Sequence, residues 1–165
     1  MGPRLAFTET EFAKQYYKHM LANEKLFHTG PVPHTTMELL KLRVSQINGC
    51  GFCVDMHYKD AVHAGEDPER LNLVTVWREA PAFTEPERAA LALAEESARL
   101  ADNPHGVTDE TWEQARKHYD DEQIAALVAM CAQINAWNRI NVALRTPAGF
   151  YDPATKTARY KDLAK

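Results

Sequence analysis

Residues 38 to 57 read Glu38-Leu-Leu-Lys-Leu-Arg-Val-Ser-Gln-Ile-Asn-Gly-Cys-Gly-Phe-Cys-Val-Asp-Met-His57. A helical stretch runs into an Asn48-Gly49 turn, and a new helix is expected to begin at once around Cys50. On that helix Cys50, Cys53 and His57 fall at i, i+3 and i+7, within an arc of about 60°, so all three share one face. An i, i+3 pair in a first helical turn has its Cα atoms ~5–5.5 Å apart, inside the range a disulfide tolerates. The two sulfurs can cycle between dithiol and disulfide with little backbone movement.

Two physical arguments rank these thiols differently. The positive end of the helix dipole favours the thiolate of Cys50, which sits nearest the N-terminus. His57 favours Cys53, four residues away and in contact range, over Cys50, which is ~10 Å off along the axis. Glu38 could complete a relay, a carboxylate orienting His57 as His57 activates sulfur. It also stands at N3 of a Thr35-x-x-Glu38 capping box, where it would only satisfy backbone N–H groups. The spacing leaves both readings open.

The periodicity stays helical on either side of this stretch, with no alternating strand. Thr8-x-x-Glu11 predicts a capped helix through about Leu26, and residues 28 to 34 a loop. The second helix starts at Thr35, and the third stops at Gly65. Asp67-Pro68 opens a helix to about Glu79, Thr84-Glu85-Pro86 one to about Ala101, Thr108 a short one to Tyr119, and Asp120-x-x-Gln123 a long one to about Leu144. Pro147, Gly149, Pro153 and several lysines predict a surface tail over residues 146–165. The expectation is an all-α fold of about seven helices in a single domain spanning residues 1–165.

Composition narrows the partners. The 165 residues include 45% hydrophobic and 25% charged side chains, the balance of a globular chain. Nineteen basic and 23 acidic residues leave a net charge of −4, so no general field draws nucleic acid. The longest apolar run, Ile124 to Ala132, is nine residues, well short of the ~18–20 that span a bilayer. No signal-peptide apolar region follows Met1, and the expected location is cytoplasmic. In a reducing compartment a close cysteine pair is redox-active or metal-binding more often than structural.

Glu38, eleven residues, then Cys50-x-x-Cys53-x-x-x-His57 resembles the AhpD-like alkylhydroperoxidases of the carboxymuconolactone decarboxylase family. Leu42-Arg-Val-Ser-Gln-Ile-Asn-Gly-Cys50, Trp77-Arg-Glu-Ala80 and Ile134-Asn-Ala-Trp-Asn-Arg139 extend the resemblance over residues 38–145. It implies an all-α fold and assembly as a homotrimer or homohexamer. It also implies a dithiol peroxidase that reduces small-molecule hydroperoxides without a bound cofactor. Cys53 would be the peroxide-reactive thiol and pass through a sulfenic acid, Cys50 the resolving or proton-donating thiol, and His57 and Glu38 the proton relay. The disulfide would be recycled by a thioredoxin-like or lipoyl-bearing protein. Some members carry a histidine just before the second cysteine, where this chain has Phe52.

Rival readings are blander. A structural zinc would need a fourth ligand from His63 or farther, and there is no second Cys-x-x-Cys. A ring-opening or decarboxylating enzyme of the same fold has no need of a vicinal dithiol, and a thiol redox sensor would oxidise once without turnover. Cys131 lies on an apolar stripe and reads as a small buried hydrophobe. Asn135, Trp137 and Asn138 inside an apolar helix read as support for the site. His28, His34, His63, His105 and His118 read as surface. Phe12, Tyr16, Tyr17, Met20 and Leu21 give the first helix more apolar surface than one core needs, which predicts subunit contacts.

Overall fold

A computed structural model describes residues 2–103 and 105–158. A 3-10 turn at Phe7–Glu9 leads into α1 (Glu11–His28), followed by α2 (His34–Ile47), α3 (Gly51–His63), α4 (Pro68–Asn72), α5 (Glu85–Ala98), α6 (Asp109–His118) and α7 (Asp121–Leu144). The fold is all-α. Its only strands among the described residues are the two-residue β1 (Tyr151–Asp152) and β2 (Thr157–Ala158), paired antiparallel.

Several predicted caps form. Thr84 with Glu87, and Asp120 with Gln123, make reciprocal capping boxes, and Thr108 accepts the Thr111 N–H. Two others differ from expectation. Thr8 lies within the 3-10 turn, and the cap of α1 is the extended Thr10, whose hydroxyl accepts the Ala13 N–H at 3.2 Å. Nor is Thr35 a cap. Pro33 enters α2 directly and its carbonyl accepts the Met37 N–H at 3.2 Å, so Thr35 is already the second helical residue. Glu38 is then the fifth, beyond reach of the cap position.

The helix predicted to reach Glu79 stops at Asn72 and tightens into a 3-10 turn over Leu73–Val76. Leu71, Val74 and Trp77, three apart and all buried, suit three residues per turn better than 3.6. The predicted surface tail also differs. Residues 146–158 fold back on α3: Tyr151 is buried and donates its hydroxyl to Asp60 at 2.8 Å, Lys59 donates to the Tyr151 carbonyl at 3.1 Å, and Gly149 N–H donates to Asp55 at 3.0 Å. Residues 159–165 of that tail lie outside the described residues.

α2 sits between two apolar clusters. Met37, Leu40 and Val44 pack against α5 and α7, whereas Leu39 and Leu42 face Ala61, Leu71, Val74, Trp77 and Leu91. Past its first turn the helix is enclosed on both sides, so Glu38, Lys41 and Ser45, all buried, must find partners inside the protein.

Candidate functional site

The corner between α2 and α3 is made by one glycine. Gly49 has φ +65°, a left-handed conformation that costs other residues energy. Its N–H bonds to the Gln46 carbonyl, and the Cys50 N–H to the Ser45 carbonyl at 3.0 Å, the paired bonds of a Schellman motif. The corner is pinned to α7. Asn48 donates to Asn135 at 2.9 Å and to Asn138 at 2.8 Å, and Asn138 donates to Ser45 Oγ at 3.0 Å. This is the supporting role that the polar positions of α7 predict. Trp137, on the same helix, donates from Nε1 to Glu24 at 2.8 Å.

Cys50 is the N-cap of α3, and its Sγ accepts the Cys53 N–H at 3.3 Å. The two cysteines are joined as a disulfide with a Cα–Cα distance of 5.3 Å, and each is only 1% exposed. One turn on, His57 is buried, with Nδ1 at 3.2 Å from Glu38 Oε2. A carboxylate can only accept, so Nδ1 carries a proton; in the neutral ring the lone pair is then on Nε2. Nε2 is buried and has no hydrogen-bond partner among the described residues. The structure thus brings Glu38 to His57, and His57 onto the helix turn that follows Cys53.

Glu38 is one corner of a charged cluster. Its Oε1 lies 2.9 Å from Lys41 Nζ, which also faces Glu24 at 3.5 Å. Burial alone would raise the Glu38 pKa, but the hydrogen bond and charge of His57 and the Lys41 ammonium outweigh it and hold the carboxyl well below the usual range. Burial likewise pulls Lys41 down, and the carboxylates of Glu38 and Glu24 more than offset it, so the net shift is upward. Cys131, the free cysteine, is buried away from the pair, and burial pushes its thiol up to about 12 despite a hydrogen bond with Ser97. It is an inert packing residue.

A buried vicinal disulfide followed at one turn by a carboxylate-bound histidine, on a seven-helix frame, is the arrangement against which known proteins can be compared. The carboxymuconolactone decarboxylase family model matches residues 12–96. The chain belongs to that family. The match begins upstream of Glu38 and takes in α1, which the resemblance over residues 38–145 left out. Among relatives, this family member is 41% identical to the uncharacterised protein YdfG of Bacillus subtilis, over 87% of this chain and 95% of that one. It is 46% identical to the alkyl hydroperoxide reductase AhpD of Methylocella silvestris, over 32% of this chain and 31% of that protein. Among solved structures it superposes, with a TM-score of 0.83 and 36% identity, on a protein of unknown function from Agrobacterium tumefaciens described as a candidate antioxidant defence protein AhpD. That superposition covers 89% of this chain and 98% of the other.

Three members of the cluster escape a reading based on the motif, Glu24 of α1 among them. Lys41 is a cation in the run Leu39-Leu40-Lys41-Leu42, and its position three residues after Glu38 was the available signal. His34, predicted to be a surface residue, is half-exposed, yet its Nε2 lies 3.5 Å from Glu38 Oε1, one turn away on α2. Phe52 is half-buried and meets Tyr151 edge to face, with ring centroids 6.4 Å apart. Among the described residues no group of three or more His, Cys, Asp or Glu could hold a metal, and no helix is long and apolar enough to cross a membrane.

Proposed function

We propose that this protein is a dithiol peroxidase that reduces small hydroperoxides, with Cys53 as the peroxide-reactive thiol, Cys50 as the resolving thiol, and His57 and Glu38 as the relay. The observation that carries the reading is His57, bound through Nδ1 to a buried carboxylate with its Nε2 buried and unpartnered among the described residues, one turn from a cysteine already paired with Cys50. In the reduced protein His57 Nε2 takes the Cys53 proton, giving a thiolate and an imidazolium stabilised by Glu38. The thiolate attacks the terminal peroxide oxygen. The O–O bond breaks, Cys53 becomes a sulfenic acid, and His57 returns its proton to the departing alkoxide as the alcohol leaves.

The Cys50 thiol then attacks the sulfenic sulfur, water leaves, and the disulfide closes across 5.3 Å between Cα atoms. Two electrons from a thioredoxin-like or lipoyl-bearing dithiol, with two protons, restore the thiols and oxidise the donor to its disulfide. A reducing cytoplasm would supply such donors, and the cycle takes the whole chain as one domain. The test is a steady-state assay with an organic hydroperoxide and dihydrolipoamide as reductant. Many turnovers per protein are expected; one oxidation and no more would make the protein a sensor. A lactone ring-opening or decarboxylation that proceeds equally well with both cysteines replaced by serine would favour the other family chemistry.

The reading includes a homo-oligomer. Phe12 is 77% exposed and Leu26 68%, and with Tyr16 and Leu21 they leave apolar surface along α1; Val128 and Val142 do the same on α7. Light scattering is expected to return three or six times the 18.7 kDa chain mass at micromolar concentration, and a monomer mass would contradict it.

A further inference from the structure

Glu38 divides its carboxylate between two sides. Oε2 faces His57, while Oε1 lies 2.9 Å from Lys41 Nζ and 3.5 Å from His34 Nε2. His57 and Lys41 are buried; His34, with its side chain 46% exposed, connects this carboxylate to solvent. It is the first residue of α2 and, with Thr35, Glu38, Ala64 and Glu66, lines a cavity of about 140 Å³. Lys41, held between Glu38 and Glu24, is a fixed cation at any ordinary pH. Histidine is the side chain suited to change charge between about pH 5 and 8.

We propose that His34 is a positioning residue through which solvent pH governs the Glu38–His57 relay. Neutral, it leaves Oε1 to Lys41; protonated, it becomes a second cation on that oxygen and draws the carboxylate's charge away from His57. The inference rests on the reading of Cys53, His57 and Glu38 as the reactive set. No covalent bond to carbon or sulfur changes; one proton passes between water and the His34 ring. With His34 charged, an imidazolium at His57 meets an additional like charge across the same carboxylate, so the thiolate–imidazolium form of Cys53 and His57 is less populated. Cys53 reactivity therefore falls more steeply toward acid pH than the thiol and His57 alone would dictate.

Other ionisable groups near His34 leave the direction of this effect intact. His28 of α1 stacks on the His34 ring with centroids 5.2 Å apart. Glu66, from the turn after α3, lines the same cavity, and its charge is already paired with Arg70 at 2.9 Å. Glu24 of α1 acts only through Lys41.

The experiment uses the reduced full-length protein and follows alkylation of Cys53 by iodoacetamide from about pH 5.5 to 8.5, with peptide mass spectrometry to separate Cys53 from Cys50. His34→Gln removes the charge, and the ratio of acid-end to alkaline-end rate is expected to rise at least ~3-fold over wild type. His34→Arg fixes the charge, and the alkaline-end rate is expected to fall ~3-fold. A pH profile in His34→Gln identical to wild type overturns the proposal. So do two variants that shift in the same direction, since lost packing would do that. Peroxide turnover on the same samples separates this inference from the one beneath it. A shifted alkylation profile without turnover keeps His34 and rejects the peroxidase, while turnover with an unshifted profile rejects His34.

Discussion

Replacing Cys53 by serine is expected to abolish peroxide consumption, a loss of at least ~10³-fold, because serine supplies no thiolate and no sulfur to oxidise. Replacing Cys50 is expected to leave a sulfenic acid on Cys53 that a dimedone-type reagent captures, since the thiol that would resolve it is gone. The dipole alone does not choose between them. Cys50 is the N-cap of α3 and Cys53 its third residue, so both lie within the first turn where the field of the helix is felt. What separates them is His57, one turn beyond Cys53. Serine is also a preferred N-cap, so Cys50→Ser keeps an acceptor for the Cys53 N–H now bonded to sulfur at 3.3 Å, and α3 should keep its start. A sulfenic adduct found on Cys50 in the Cys53→Ser protein, with peroxide still consumed, would reverse the assignment.

What the sequence made legible followed from local rules. Helices with a side-chain acceptor at the cap, such as α5 and α7, appear where Thr84 and Asp120 predict them. The Asn48-Gly49 corner and the Cys50–Cys53 spacing also follow, because a left-handed glycine and 3.6 residues per turn are properties of the backbone itself. Thr35-x-x-Glu38 misled because Pro33 already supplied the entry to α2, a competition that the motif does not encode. The return of Tyr151 onto Asp60, and the meeting of Glu24, His34 and Lys41 around Glu38, depend on contacts between elements. A lysine amid leucines announces that it needs a buried partner, but only the fold says which carboxylates answer. The same holds for Glu38: its spacing to His57 fits both a cap and a relay, and the 3.2 Å contact with Nδ1 decides what it touches.

That contact makes Glu38→Gln the variant with the next largest expected effect. A capping glutamate could become glutamine almost silently, since the amide oxygen makes the same backbone bond. Here both carboxylate oxygens are spent on charged or chargeable side chains, Oε2 on His57 and Oε1 on Lys41 and His34, and a neutral amide answers none of them equally well. Peroxide turnover is expected to fall at least ~10-fold, within the ~10²–10⁴-fold that proton-transfer groups typically contribute. Alkylation of Cys53 is expected to require a higher pH. His57→Gln should match it, and the double variant should be no worse than the poorer single, because members of one relay do not add.

Stability should fall as well, which the sequence alone gave no reason to expect. Lys41 is buried, and the substitution leaves its ammonium with Glu24 at 3.5 Å as its remaining carboxylate. The cost is expected to be about 2 kcal/mol, below the ~3–5 kcal/mol of a buried pair broken outright. Because the folded-state pKa of Glu38 is depressed, its stabilisation is fully present above the unfolded carboxyl value of ~4.3 and is lost as pH falls through the lower folded value. The gap in melting temperature between wild type and Glu38→Gln should therefore persist at neutrality and close only in strong acid. Adding Lys41→Met removes the stranded cation and separates the two effects. Glu38→Gln/Lys41→Met should regain most of the melting temperature while turnover stays low, since His57 still lacks its carboxylate. If turnover returned together with the melting temperature, Glu38 would be holding the fold and not the proton.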